Sequence, residues 1–353
     1  MNQRYAFSFA LALLTALSVT PTAAPDTSGI ARAGGEVNIY SYRQPFLVEP
    51  LFDAFTDESG IDVNVIYADG LIERMVQEGA NSPADVLLTV DISRLTSAVE
   101  QGVSQALKSD VIEANIPAAY RDRDGHWFGL TTRARVIYAS VDRVAQDAIT
   151  YEELAEEQWR GRICTRSGQH VYNNALIASM IAHHGEDKAR QWVSGVKANL
   201  ARKPAGNDRA QVKSIHAGEC DISLGNTYYM ALMRTNDKEP QQKDWAASAK
   251  IIMPNALDRG THVNLSGIVL AKNAPNRDNA VRLMEWLTGA EAQRIYAEVN
   301  HEYPLRPGVP ISDMVSSFGE LNADPLSLAE IAGHRRRASE IVDEVGFDDG
   351  PSS

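Results

Sequence analysis

The stretch ADVLLTV at residues 84–90 decides the fold class of this chain. It is almost entirely apolar, as is typical of a parallel β-strand that helices cover on both faces. On its N-terminal side, strand-like segments at 37–40 and 61–67 alternate with segments at 47–55 and 71–78 that have apolar residues at helical spacing. This alternation predicts βαβ units and an α/β fold.

A second series of elements begins after strand-like residues 127–131 and 134–140. It includes helix-like residues 174–183 and a strand at 221–225 that leads into Asn226-Thr227-Tyr228-Tyr229. The roughly 320 residues that follow the leader described below exceed one comfortable hydrophobic core. The sequence therefore predicts two α/β lobes with a cleft between them, with these boundaries: 34–132 and 262–340 for the first lobe, 133–261 for the second, and 341–353 for a polar tail.

Residues 1–33 have the features of a secretory signal peptide. Arg4 precedes an apolar run from Ala6 to about Val19, which is shorter than the ~20 residues of a bilayer-spanning helix. Cleavage after Ala24 and after Ala33 both fit, and we favour Ala33 because a proline follows the first site. No cysteine for a lipid anchor lies near either site. We expect a soluble periplasmic protein without direct membrane insertion.

Composition narrows the function classes. The formal net charge of −12 argues against nucleic acid or an anionic membrane as partner, because both would repel the chain. The sequence has no Walker loop, no Gly-x-Ser-x-Gly elbow and no His-Glu-x-x-His helix, which favours binding over catalysis. Cys164 and Cys220 could form one disulfide in an oxidising compartment, or remain two buried thiols.

Two of the twelve tyrosines are adjacent, Tyr228 and Tyr229, directly after a predicted strand. An arbitrary tyrosine pair most often places one ring in the core and one outside. In α/β sheets, however, ligands lie outside the carboxyl ends of the strands. A phenolate is a hard oxygen donor, and Fe³⁺ can displace its proton, whereas Zn²⁺ and Mg²⁺ prefer other ligands. The pair therefore points to ferric iron.

Six segments carry a resemblance to a known family: NIYSYRQPFLVEPLF (38–52), GANSPADVLLTVDISRL (79–95), LTTRARVIYA (130–139), VYNNALIASMI (171–181), AGECDISLGNTYYMALM (217–233) and RGTHVNLSGIVLAKNAPN (259–276). With them the chain resembles the ferric-iron-binding proteins of ABC transporters, within the periplasmic binding proteins, from about residue 36 to 310. The resemblance implies a two-lobed fold with a hinge and a central ligand cleft. It implies no enzymatic activity.

The resemblance also implies a ligand set. In its tyrosine-rich branch the iron ligands match Tyr172, Tyr228 and Tyr229 here, all in the second lobe. Many relatives have a His-Tyr pair where this chain has Gln44-Pro45. That departure favours the subgroup in which carbonate or bicarbonate completes the coordination.

Two arginines are candidates for holding this synergistic anion. Arg43 follows the first strand and Arg133 lies in a predicted hinge strand, and a planar guanidinium matches a planar carbonate in bidentate fashion. A surface salt bridge is the simpler alternative for each of them. Arg135, two residues further along the same strand, is the less favoured candidate.

The sequence thus predicts a monomer that captures Fe³⁺, closes about hinge strands near 130–138 and 261–268, and delivers the ion to an ABC transporter permease in the inner membrane. Two alternatives stay open. The same fold could bind a small organic anion or a polyamine, and an exported α/β hydrolase would share the fold class. A visible tyrosinate-to-iron band would separate these possibilities.

Overall fold

A computed structural model describes residues 34–351. The predicted signal peptide, residues 1–33, lies outside the described residues. Within them, no helix is long and apolar enough to span a bilayer.

The described chain alternates strands and helices as the sequence predicted. Its strands are β1 (Glu36–Ser41), β2 (Asp62–Tyr67), β3 (Val86–Thr89), β4 (Phe128–Ser140), β5 (Ile163–Cys164), β6 (Ile222–Asn226), β7 (Ala249–Ile252), β8 (Val263–Leu270) and β9 (Tyr303–Pro304). Its helices are α1 (Pro45–Ser59), α2 (Leu71–Glu78), α3 (Ile92–Glu100), α4 (Asp110–Asn115), α5 (Val171–His184), α6 (Glu186–Ala198), α7 (Asp208–His216), α8 (Thr227–Arg234), α9 (Gln241–Ala247), α10 (Arg277–Leu287), α11 (Ala290–Val299), α12 (Asp313–Ser316), α13 (Leu328–Gly333) and α14 (Arg335–Val345).

The order of hydrogen-bonded neighbours across the sheet is β2-β1-β3-β8-β4-β6-β5, and β7 and β9 also pair with β4. The apolar stretch quoted first forms β3, which is buried along its whole length. It is parallel to β1 on one side and antiparallel to β8 on the other. The α/β prediction is confirmed, with an antiparallel strand inserted at the centre.

Strand β4 runs through both lobes. Its first half pairs with β8 from Phe128 to Ala134, and its second half pairs with β6 and β7 from Arg135 to Ser140. All thirteen of its residues are buried, so polar side chains on this strand must find partners inside the protein. The predicted hinge strands are therefore β4 and β8, where the two half-sheets meet.

The C-terminal segment differs from the predicted polar tail and from the predicted first-lobe boundary at residue 340. Helices α13 and α14 pack against α5 of the second lobe. The buried side chains of Ile341, Val342 and Phe347 form one apolar stripe, and Asp348 accepts hydrogen bonds from Ser167 and the backbone N–H of Gly168. The many charges of this segment lie on the other face of the helix, which concealed its helical periodicity.

The structure also decides between the two alternatives for the cysteines. Cys164 and Cys220 form a disulfide, with their Cα atoms 5.8 Å apart. It joins Cys164, the last residue of β5, to Cys220, which lies two residues before β6. Strand β6 leads to the adjacent tyrosines.

Candidate metal centre

The three predicted tyrosines form one cluster in the second lobe. Tyr172 is the second residue of α5, and Tyr228 and Tyr229 are the second and third residues of α8. The hydroxyl oxygens of Tyr172 and Tyr228 are 3.2 Å apart, and the ring centroids of Tyr228 and Tyr229 are 4.2 Å apart. Two helix N-termini thus bring together side chains that are 56 residues apart in the sequence.

The start of α5 is fixed by His170. Its Nδ1 accepts a hydrogen bond from the backbone N–H of Tyr172 at 3.2 Å, which caps the helix. Burial, and next the nearby Arg166 guanidinium, lower the pKa of His170 to about 3. The imidazole is therefore neutral and able to accept this bond.

The start of α8 depends on a glycine. A Cβ added to Gly225 would lie 2.0 Å from Cε2 of the Tyr138 ring, so only glycine allows Tyr138 to lie against the end of β6. The Tyr138 hydroxyl then donates to the carbonyl of Asn226 at 2.5 Å. This contact anchors the turn that presents Tyr228 and Tyr229.

The cluster opens into a cavity of about 330 Å³ between the lobes. Residues of the second lobe, the hinge strands and the first lobe share its wall. Its charged and aromatic lining residues are Tyr42, Arg43, Phe46, Asp69, Arg94, Arg133, Arg166, His170, Tyr172, Arg209, Tyr228, Tyr229 and Glu302.

The surroundings of the phenols decide what they can bind. Burial, and next the neighbouring Tyr172, raise the pKa values of Tyr228 and Tyr229 well above their ordinary range. These two phenols are therefore protonated in the neutral range, and only a strongly Lewis-acidic cation would displace their protons. Among residues 34–351, no group of three or more His, Cys, Asp or Glu side chains is placed to hold a metal.

Arginines surround the cluster on the second-lobe side. The guanidinium carbon of Arg166 is 5.2 Å from the Tyr172 ring centroid, and that of Arg209 is 5.6 Å from the Tyr229 ring centroid. Both side chains have a buried Nε without a partner in the described part of the chain. The sequence analysis missed both residues, because neither follows a predicted strand directly.

Arg133 has the geometry expected of an anion donor. Its side chain is buried and lines the cavity. Nη1 donates to Ser266 Oγ at 3.0 Å, whereas Nη2 has no partner among the described residues. Arg135, the less favoured candidate, is instead bound to Asp208, with Nη1 to Oδ2 at 2.8 Å.

Arg43 lies in the cavity wall, but its immediate partner was not predicted. Its Nη1 and Nη2 donate to the two carboxylate oxygens of Glu302, at 2.8 and 3.2 Å. Nη1 also donates to Ser266 Oγ at 2.5 Å. The Nη groups of Arg43 are therefore already bound to a buried carboxylate, and the role of Arg43 toward the anion stays a prediction.

Tyr42 is the first-lobe tyrosine of the cavity. Its hydroxyl accepts a hydrogen bond from the backbone N–H of Ile72 at 3.0 Å, and the Arg94 guanidinium carbon lies 4.4 Å from its ring centroid. Tyr42 is thus held by α2 and by Arg94, outside the tyrosine cluster.

Comparisons with known proteins agree with this architecture. A family model for bacterial extracellular solute-binding proteins matches residues 81–316. Iron uptake protein A1 of Synechocystis sp. is 44% identical over 315 residues, which cover 88% of this chain and 87% of that protein.

Two solved structures show the same two-lobed fold. The apo ferric ion-binding protein A of Pasteurella haemolytica is 51% identical and has a TM-score of 0.86, with 89% of this chain and 98% of that chain covered. A Trichodesmium protein solved in complex with iron and citrate is 42% identical and has a TM-score of 0.84, with 89% and 100% covered. The chain therefore belongs to the bacterial extracellular solute-binding proteins and groups with these iron-binding relatives.

Proposed function

We propose that this protein captures Fe³⁺ in the periplasm with the phenolate oxygens of Tyr172, Tyr228 and Tyr229. The observation that carries the proposal is the convergence of these three phenols on one cavity, with 3.2 Å between the first two hydroxyl oxygens. The names of the iron-binding relatives support the choice of metal.

Charge explains why three phenols suit a trivalent ion. Three phenolates cancel the charge of Fe³⁺, so the closed cavity gains no net charge from the bound ion. Because Tyr228 and Tyr229 hold their protons in the iron-free protein, binding releases protons, and affinity falls as pH falls.

A synergistic anion, carbonate or bicarbonate, completes the proposed site. Arg133 is its donor, since the buried Nη2 is unpartnered and faces no competing carboxylate in an ion pair among the described residues. Arg43 contributes to the wall of the anion site while its Nη groups remain bound to Glu302.

The arginines also rank the alternative ligands. A polyamine would be repelled by the guanidinium groups of Arg133 and Arg209, whereas Arg166 is paired with the buried Asp208. A small organic anion would suit the arginines but would leave the buried phenols without a role. A hydrolase lacks support in the relatives, which are solute-binding proteins, and we propose that the chain is not an enzyme.

Delivery follows from the family. We propose that the iron-loaded monomer docks on an ABC transporter permease in the inner membrane and releases iron there. Closure about β4 and β8 would bring both lobes into the orientation that the permease recognises.

Titration of the iron-free protein with ferric iron in the presence of bicarbonate tests the proposal. A visible tyrosinate-to-iron band should appear and saturate at one iron per chain. Replacing Tyr228 and Tyr229 by Phe should abolish the band, while Tyr120→Phe, a half-buried tyrosine outside the cavity, should leave it intact. A wild-type protein that stays colourless would refute the proposed function.

A further inference from the structure

The structure assigns Glu302 a specificity role: by pairing with Arg43 it sets the charge of the anion that the cavity accepts. The inference rests on the proposed function, because it concerns the anion that accompanies the iron. Glu302 lies beside the hinge strand β4. Its carboxylate is hydrogen-bonded to Arg43 and Thr131 rather than to any of the three tyrosines.

The ion pair between Arg43 and Glu302 is buried, and both carboxylate oxygens of Glu302 take part in it. Glu302 is 1% exposed and Arg43 is 3% exposed, so neither charge is screened by solvent ions. Both carboxylate oxygens are used, since each accepts one Nη of Arg43, and Oε2 also accepts the Thr131 hydroxyl at 2.6 Å. A planar fork of this kind fixes the Arg43 guanidinium in orientation as well as in charge.

The backbone holds Glu302 in place. His301, directly before it, has φ 55°, a conformation uncommon for a residue with a side chain. Directly after it, β9 begins, and Tyr303 pairs with Thr132 of β4. Glu302 is thus delivered to the hinge by a specific turn, and unusual backbone of this kind often marks functional positions.

Two guanidinium groups meet on one hydroxyl in this wall. Arg43 Nη1 and Arg133 Nη1 both donate to Ser266 Oγ, at 2.5 and 3.0 Å. Of the two, Arg43 has the carboxylate partner, and Arg133 makes no ion pair within 4.0 Å among residues 34–351. Arg133 feels the buried Asp91 carboxylate only at longer range. With Glu302 in place the anion therefore meets one guanidinium here that has no carboxylate in direct contact. Without the charge of Glu302 it would meet two.

Two charge-changing variants test this role, because they should shift the anion preference of the cavity in opposite directions. Glu302→Gln removes one negative charge, which makes the net charge of the wall one unit more positive. This variant should favour a tricarboxylate over a dicarboxylate of similar skeleton. Arg43→Gln leaves Glu302 unpaired and should shift the preference the other way. One charge acting over several ångströms at an effective dielectric constant of ~20 changes the ratio of affinities roughly tenfold or more. The double variant should fall between the two single variants.

The probes are glutarate and tricarballylate, which differ by one carboxylate. Binding to the iron-free protein is measured from the rise of the melting temperature with anion concentration. For the iron-loaded protein, a competing chelator is added in the presence of each anion in turn. The measured quantity is the chelator concentration at which the visible band disappears. Glu291→Gln is the matched control, because it removes the same charge from an exposed pair with Arg294, and neither residue lines the cavity.

Opposite shifts in Glu302→Gln and Arg43→Gln, with no shift in Glu291→Gln, would support the role of Glu302. Equal ratios in all variants, no response to either anion in any of them, or the same shift in the control would overturn it. If one single variant does not fold, the direction of the other decides. A wild type that forms no visible band while the anion ratios still diverge would refute iron binding and leave the role of Glu302 standing.

Discussion

Replacing Tyr229 by Phe should weaken ferric-iron binding and change its dependence on pH. Burial, and next the neighbouring Tyr172, raise the pKa of Tyr229, so the iron-free protein keeps this proton throughout the neutral range. Iron must expel the proton in order to bind the oxygen. The wild type should therefore release one more proton per iron than Tyr229→Phe.

The pH slope is a sharper quantity than the affinity at one pH. Deprotonating a phenol of ordinary pKa ~10 at about pH 8 costs about 2.7 kcal/mol, and the raised pKa of Tyr229 makes the cost larger. Coordination of the phenolate to the trivalent ion offsets this cost. The affinity at one pH therefore reports only the difference between two opposing contributions. One proton, by contrast, changes the ratio of wild-type to variant affinity about 100-fold between about pH 6 and pH 8.

The assay is competition with a chelator whose proton-linked iron affinity is known, followed through the visible band at each pH. Tyr120→Phe should keep the wild-type slope, because that ring lies outside the cavity. Parallel pH profiles for wild type and Tyr229→Phe would show that the Tyr229 hydroxyl is not an iron ligand, whatever the absolute affinities.

Three further predictions concern the scaffold and the anion. Gly225→Ala should lower the free energy of unfolding by ~1–3 kcal/mol in chemical denaturation, because the added Cβ overlaps the Tyr138 ring; an unchanged midpoint would contradict this packing. Replacing both Cys164 and Cys220 by Ala should lower it by about 4 kcal/mol on the loop-entropy scale for a sequence separation of 56, and a loss below about 1 kcal/mol would argue against that mechanism. Arg133→Gln should reduce the bicarbonate dependence of the visible band about tenfold or more, since a charge-assisted donor is lost; wild-type dependence would place the anion elsewhere.

Sequence reasoning predicted the parts of the candidate site from different signals. Tyr228 and Tyr229 follow a strand by two or three residues, and the rule that ligands lie at strand ends applies to them directly. Tyr172 needed the family resemblance, because helix α5 begins without a long strand before it. Arg133 was found because it lies in a strand that crosses between the lobes.

The partner of Arg43 could not be found in this way. Glu302 is 259 residues away in the sequence, and it follows a helix in a segment with no motif of its own. Only the return of the chain to β4 through β9 brings it to the cavity. The C-terminal helix α14 was missed for a different reason. It contains more charged residues than apolar ones, so its composition hides the apolar stripe around Ile341 and Val342.

The site divides its two tasks between different parts of the fold. The phenols proposed to bind the metal stand on α5 and α8 of the second lobe, an arrangement that would allow iron to be captured before the cleft closes. Arg133, the donor proposed for the anion, stands on β4, and its hydrogen-bond partner Ser266 stands on β8; these two strands join the lobes. A lower-charged Fe²⁺ would need only two phenolates for neutrality, and a third phenol would recover its proton because burial favours the neutral form. Reduction by a one-electron donor from outside the protein would therefore remove ligands as well as charge, and release by this route would need no rearrangement of the second lobe.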